Sequence, residues 1–185
     1  LLQRLRKDFP SSSLMPEALL ETAEAYQLSN DNENAERTLD ELTSKYPATQ
    51  QGRQALLYLA NIYADADRKD EASKTYARLI REYPTSTEAH QAAEVLKRYA
   101  ADAGEMERYE QFIAGIDNAP RLEAAESDRL SFEAAEEQYL DGRGITAMRR
   151  YLKNYPKGQN RHRALAYLMD EASERQATDD AYKYA

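Results

Sequence analysis

The run Ala55-Leu56-Leu57-Tyr58-Leu59-Ala60-Asn61-Ile62-Tyr63, and after it Ala72, Tyr76, Leu79, Ile80 and Tyr83-Pro84, decides the fold of this 185-residue chain. Ala55, Leu59, Ile62 and Tyr63 follow the spacing that lines one face of an α-helix. After a polar break from Asp65 to Asp70, the stripe resumes at Ala72 and runs to Tyr83. Two amphipathic helices joined by a short polar turn bury their apolar faces against each other, so the stretch reads as a helix hairpin. Pro84 ends the second helix, because proline lacks the amide proton and biases the residue before it away from helical angles.

The same hairpin recurs along the chain. With Pro16 set aside, the prolines at 10, 47, 84, 120 and 156 are separated by 37, 37, 36 and 36 residues, and Phe9, Tyr46, Tyr83 and Tyr155 make four of the five sites aromatic-Pro. Eight residues after a proline stand Ala18, Ala55, Ala92 and Ala164, and 25 after stand Ala35, Ala72 and Ala181. Leu59, Leu96, Phe132 and Leu168 recur at the twelfth position, and Leu42, Leu79 and Ile116 at the thirty-second. Small residues return where helices touch, and large apolar ones fill the rest of the core. Helix pairs are expected at 15–29 with 32–45, 49–65 with 68–82, 86–102 with 105–116, 123–140 with 144–154, and 159–175 with 178–185. Asp and Asn in the hairpin turns offer helix caps, and Thr85 with Glu88 resembles a capping box.

One hairpin cannot cover both of its faces, whereas stacked hairpins share a continuous core. The expected fold is therefore all-α: a right-handed superhelix, or solenoid, of antiparallel helix hairpins in one continuous domain over 1–185. It comprises about four full repeats, 10–46, 47–83, 84–119 and 120–155, with partial repeats at 1–9 and 156–185. Leu1 to Pro10 aligns on Thr38 to Pro47, so the chain is expected to begin inside the second helix of a preceding repeat. Two repeats depart from the pattern. The third has Lys97 and Tyr109 where alanines are expected, which predicts looser or shifted packing. The fourth has Ala119-Pro120 without the aromatic, and the loop around Gly142 and Gly144 reads as compressed by about three residues against the repeat pattern, so 117–128 is a candidate joint.

Composition narrows the function. There is no cysteine, which removes disulfides, thiolate metal sites and cysteine nucleophiles. With 33 acids against 25 bases the formal charge is -8, which argues against general attraction to nucleic acid or anionic membrane. No run approaches the about 20 apolar residues of a membrane helix.

The residues 55–63 with Ala72, Tyr76, Leu79 and Tyr83-Pro84 resemble a tetratricopeptide repeat, and the resemblance spans nearly the whole chain. The Tyr-Pro ending is similar to the variant in bacterial envelope proteins such as the BamD and Tol-Pal coordinator groups, which implies a periplasmic or cell-envelope address. The resemblance further implies a non-catalytic scaffold that binds other proteins in its concave groove. The groove positions it carries over are Glu17, Leu20, Glu24 and Gln27; Gln54, Leu57, Asn61 and Asp65; and Gln91, Glu94, Arg98 and Asp102. This strip is polar and mainly acidic. Leu20 and Glu24 stand where a family member that grips a C-terminal carboxylate would carry Lys and Asn, so that clamp is not expected. The competing readings are a merely solvated inner face, an architectural spacer associating through its ends, and the helical accessory domain of a cell-wall enzyme.

A second candidate lies further on. From Gly142 to Met169 there are seven cations, Arg143, Arg149, Arg150, Lys153, Lys157, Arg161 and Arg163, and no acid, while the remainder carries 18 cations against 33 acids. Such asymmetry suits an acidic partner or phosphorylated head groups. Tyr151, Tyr155 and Tyr167 interleave it at core spacing, which speaks against nucleic acid.

No enzyme chemistry is expected. Glu136 and Glu137 are adjacent on a helix and point apart, whereas an acid and a base must converge on one bond. His90 and His162 have no further ligand at metal spacing. Asp65, Asp67 and Asp70 start like a calcium loop but have Asp70 where such a loop needs glycine and Tyr76 where it needs glutamate. No phosphate loop or nucleophile elbow is present, and no cofactor is implied.

Overall fold

A computed structural model of the chain describes residues 4, 7–9, 12–143 and 145–174. Pro10, Gly144, Ala181 and the helix expected at 178–185 lie outside the described residues. From residue 15 on, the described residues form nine helices and no strand: α1 (Met15–Leu28), α2 (Asn32–Lys45), α3 (Gln50–Asp65), α4 (Lys69–Glu82), α5 (Thr87–Ala103), α6 (Met106–Ala114), α7 (Ala124–Leu140), α8 (Thr146–Asn154) and α9 (Arg161–Glu174). Helices that follow one another in sequence pack on one another, α1 on α2, α3 on α4, α7 on α8 and α8 on α9. The fold is an all-α repeat solenoid, as the lattice predicts.

The lattice has a physical basis at both turns. Within each hairpin the chain reverses through a residue in the left-handed region, Asn30 (φ 58°), Asp67 (φ 56°), Gly104 (φ 69°) and Gly142 (φ 74°). Only glycine and short polar residues adopt that conformation readily. Asp67 is therefore a turn residue, and its likeness to a calcium loop has this cause. Between hairpins, Tyr46, Tyr83 and Tyr155 close α2, α4 and α8 with φ of -131°, -138° and -123° and ψ of 46°, 53° and 66°, outside the helical region that a following proline disfavours.

Caps then restart the chain two residues beyond the proline. Thr49 Oγ1 accepts from the Gly52 amide at 3.0 Å, and Ser86 Oγ from the Ala89 amide at 3.0 Å. The capping hydroxyl is thus Ser86, not Thr85. The shortening of the fourth repeat is also displaced from its expected place. The connection 141–145 is no shorter than its counterparts, and the missing residues come out of α8, which has 9 residues against 14 in α2 and in α4.

Contacts divide the chain into two compact units, Leu1–Glu94 with Asp117–Ala119, and Val95–Ile116 with Pro120–Ala185, the division falling within α5. In the first unit Met15, Leu19, Ala23, Ala35, Leu39, Leu42, Ala55, Leu59 and Ile62 form one apolar cluster. Ala35, Ala55 and Ala72 are fully buried, so the alanine positions are where helices approach most closely. Tyr83, whose hydroxyl donates to the carbonyl of Pro47 at 2.7 Å, ties one lattice proline to the next. That bond explains tyrosine, rather than another aromatic, at this site.

The second unit is built around Phe132, Ala135, Ala147, Met148, Tyr151, Ala164 and Leu168. It also buries Ser127, Asp128, Ser131 and Lys97. Buried polar groups persist when hydrogen-bonded. Lys97, standing at an alanine position, pairs with Glu126 at 2.7 Å, and Tyr109, the other exception of the third repeat, is also buried.

Candidate functional site

The sequence strip on α1 and α3 comes together as a surface. These two helices lie side by side. Leu20, Glu24 and Gln27 on α1 and Gln54, Leu57 and Asn61 on α3 are half-buried, and Glu17 and Asp65 are exposed. Each set follows helical spacing immediately beside the core stripe, Leu19 and Ala23 on α1 and Ala55, Leu59 and Ile62 on α3, so core packing fixes where they point.

One hydrogen bond orders this surface. Nearby, the ionisation of Tyr58 is pushed up by burial first and by the neighbouring Glu24 second. Asn61 Oδ1 accepts from the Tyr76 hydroxyl at 2.6 Å, and Tyr76 is itself 1% exposed. With its oxygen engaged inward, the Asn61 side chain has its Nδ2 donor remaining, and no partner for that donor stands among the described residues.

Beyond α3 the strip is divided. Gln91 and Glu94 are exposed on α5 within the first unit, and Arg98 and Asp102 are exposed on α5 within the second. The Asp102 carbonyl accepts from Gln138 Nε2 at 2.9 Å and from Arg150 at 3.3 Å.

The seven cations separate into two kinds. Three are engaged within the second unit. Arg143 meets Asp141 at 2.7 Å, Arg150 meets the Asp102 carbonyl, and Arg163 meets Glu136 at 2.7 Å while lying 4.6 Å over the Phe132 ring. The other four, Arg149, Lys153, Lys157 and Arg161, are exposed, and none of their side chains has an ion-pair or hydrogen-bond partner among the described residues. Arg129, Phe132, Glu133, Gln159, Asn160 and Arg163 line an open hollow of about 530 Å³ between α7 and α9.

Sequence reasoning missed a buried polar network on α7. Asp128 Oδ1 accepts from the Tyr151 hydroxyl at 2.5 Å, and Oδ2 accepts from the Gln159 amide at 2.6 Å. Ser127 donates to Glu110, and Ser131 donates to the Tyr155 hydroxyl at 3.0 Å. A signal was available: Asp128 falls eight residues after Pro120, where the other repeats have alanine. Burial and the Asp128 bond push the Tyr151 ionisation well up. Its bonds join α7 to α6, to the α8 hairpin and to the turn before α9, so its role is to fasten the hairpins.

Among the described residues no helix is long and apolar enough to cross a membrane. The family model described as tetratricopeptide repeat matches residues 17–49 and 54–86. No curated protein matches the chain. The two matched stretches are adjacent and cover the α1–α2 and α3–α4 hairpins, in the register set by the prolines. Over these two hairpins the chain is similar to tetratricopeptide repeats, a family of protein-interaction modules.

Proposed function

We propose that this array of tetratricopeptide repeats holds a segment of a partner protein along the strip formed by Leu20, Glu24, Gln27, Gln54, Leu57 and Asn61. The observation that carries this reading is the Asn61 side chain, locked by Tyr76 at 2.6 Å so that its remaining donor stands on the strip beside half-buried Leu57. A donor already fixed in place avoids the ordering cost of recruiting a mobile side chain on binding. Half-exposed leucines next to fixed polar groups suit an extended or helical segment that contributes both apolar and hydrogen-bonding groups. The mainly acidic rim favours a partner segment that is neutral or basic.

The test pairs Gln54→Ala with Leu57→Ser, which leaves the Asn61–Tyr76 bond intact, and compares it with Lys74→Ala on an exposed face of α4. Proteins recovered with the tagged chain from its own cells are quantified for each form. The reading requires a discrete set that the double variant loses and Lys74→Ala keeps, at an unchanged melting temperature. Equal recovery by a folded double variant would remove the strip from consideration. The envelope address belongs to the same proposal, on the strength of the Tyr-Pro resemblance. Recovery of the native protein in the soluble cytosolic fraction would overturn it.

A further inference from the structure

We propose that the exposed cationic row Arg149, Lys153, Lys157 and Arg161, on α8, the following turn and the start of α9, is a docking surface for an acidic segment of a partner protein. It is separate from the strip on α1 and α3 and does not depend on it.

Two of the four, Arg149 and Arg161, stand where local helix physics opposes them. The N-terminal end of a helix carries partial positive charge and favours acids. Accordingly α1, α2, α4, α6 and α7 each have an acid in the first turn, Glu17, Glu33, Asp70 with Glu71, Glu107 and Glu126. The first turns of α3, α8 and α9 have none, and Arg149 closes the first turn of α8 while Arg161 opens α9. Arg149 and Lys153 are four apart on one helix face, a like-charge spacing that destabilises an isolated helix. Helix physics thus favours Lys153, in the last turn of α8, but gives nothing for Arg149 and Arg161, and no side-chain partner among the described residues explains any of the four. The three that do have partners, Arg143, Arg150 and Arg163, show that the structure satisfies cations where an acceptor is in reach. The row is what is left over, and its exposed charge is complementary to a run of carboxylates.

The other polyanions fit less well. The large exposed apolar residues among those described, Phe9, Leu14, Leu28 and Leu140, all lie outside it, so it offers nothing to insert into a bilayer. Nucleic-acid affinity comes from neutralising many phosphates, and a chain of net charge -8 repels a long phosphate backbone around any four-cation contact. A short acidic peptide segment carries too few charges for that repulsion to dominate.

The experiment uses the full chain and a fluorescein-labelled peptide of about eight glutamates, which spans roughly 26–29 Å when extended. Its glutamine counterpart, phosphatidylserine vesicles and a short DNA duplex serve as comparisons. The glutamate peptide is expected to bind at low salt, to weaken steeply as salt is added, and to bind at least tenfold more weakly to the double variant Arg149→Glu with Arg161→Glu. That variant supplies the missing first-turn acids and places a glutamate four residues before Lys153, so its melting temperature is expected to hold or rise. A peptide affinity that the variant leaves unchanged would overturn the proposal. So would vesicles or duplex bound as tightly as the peptide, or a lowered melting temperature, which would give the arginines a structural role. Light scattering adds one more overturning result, a dimer of the native chain that the variant abolishes, because the occupant would then be a second copy.

Discussion

Eight residues after its proline, the second repeat has Ala55, 0% exposed and enclosed by the hydrocarbon of Leu59, Leu39 and their neighbours, while the fourth has Asp128, 6% exposed and bonded to Tyr151 and to the amide of Gln159. One position in one kind of hairpin is thus satisfied by smallness in the first unit and by hydrogen-bond complementarity in the second. Close packing of small residues needs no directional match and tolerates a range of neighbours. A buried carboxylate tolerates one arrangement only, because each oxygen must keep its donor. The difference teaches that the repeat lattice specifies where helices meet, not how the meeting is made.

Exchanging the two solutions has the largest expected effect. Asp128→Ala strands the Tyr151 hydroxyl and the Gln159 amide, and two hydrogen bonds to a charged group are together worth roughly 3–5 kcal/mol. Ala55→Asp places a carboxylate among hydrocarbon side chains and is expected to be at least as damaging. Hydrogen exchange on the full chain separates them: Asp128→Ala should deprotect α7 to α9 by about a hundredfold or more and leave α1 to α4 unchanged, and Ala55→Asp the reverse. A loss below about 1 kcal/mol in Asp128→Ala would mean that the network adds little beyond filling space.

Glycines refine the contrast at the next scale. In the first unit a Cβ on Gly52 would run into the carbonyl oxygen of Tyr46, a backbone group that cannot swing aside. In the second, a Cβ on Gly158 would come within 2.6 Å of both Asp128 Oδ1 and the Tyr151 hydroxyl, so the network itself demands the glycine. Alanine gains about 1 kcal/mol over glycine inside a helix, yet overpacking costs about 1–3 kcal/mol. Gly52→Ala is therefore expected to lower stability by about 1–2 kcal/mol in urea unfolding, and a stabilised protein would show that α3 can shift away from the Tyr46 turn.

Much of this was legible before the structure. The proline spacing and the alanine and leucine positions carried the hairpins, because helix ends and helix contacts are set by residue types that a sequence displays. The left-handed turns were equally periodic, but Asn30, Asp67, Gly104 and Gly142 share a backbone conformation and not a side chain, so the eye passes over them. Asp128 was hidden because its donors, Tyr151 and the Gln159 amide, lie 23 and 31 residues away. The strip on α1 and α3 was readable as positions, whereas the Asn61–Tyr76 bond that orders it joins residues from two helices. Composition revealed the run of cations, but only the fold separates Arg143, Arg150 and Arg163, which are engaged, from the four that are not.

Alkaline pH distinguishes the units more gently. Tyr63 in the first unit has its ionisation pushed up to about 12, by burial first and then by Asp40 and Glu36. Tyr151 in the second is also raised, by burial and by Asp128. A phenol held neutral in the fold contributes stability that is fully present below its unfolded pKa of about 10 and is lost as pH rises through the folded value. Stability should therefore hold to about pH 10 and decline above it. The decline should begin near pH 10 in both units, because the unfolded phenol sets its onset, and Tyr63→Phe and Tyr151→Phe should each flatten it in their own unit. A decline in α7 and α8 that Tyr151→Phe leaves unchanged would show that this phenol is not held neutral by the fold.

The smallest effect bears on the feature that made the repeat visible. Tyr83→Phe keeps the ring that packs at the turn and removes only the hydroxyl bonded to the Pro47 carbonyl at 2.7 Å, at a half-buried site. Water can replace that partner in part, so the expected loss is about 0.5 kcal/mol, the low end for a single neutral hydrogen bond. Tyr155→Phe, the corresponding change in the second unit, removes a hydroxyl that accepts from Ser131 inside the polar network and leaves that buried donor stranded. It should cost more, about 1–2 kcal/mol. If urea midpoints fall equally for the two variants, the tyrosine of the Tyr-Pro pair is serving both units through its ring alone, and the contrast between hydrocarbon and polar fastening does not extend to the turns.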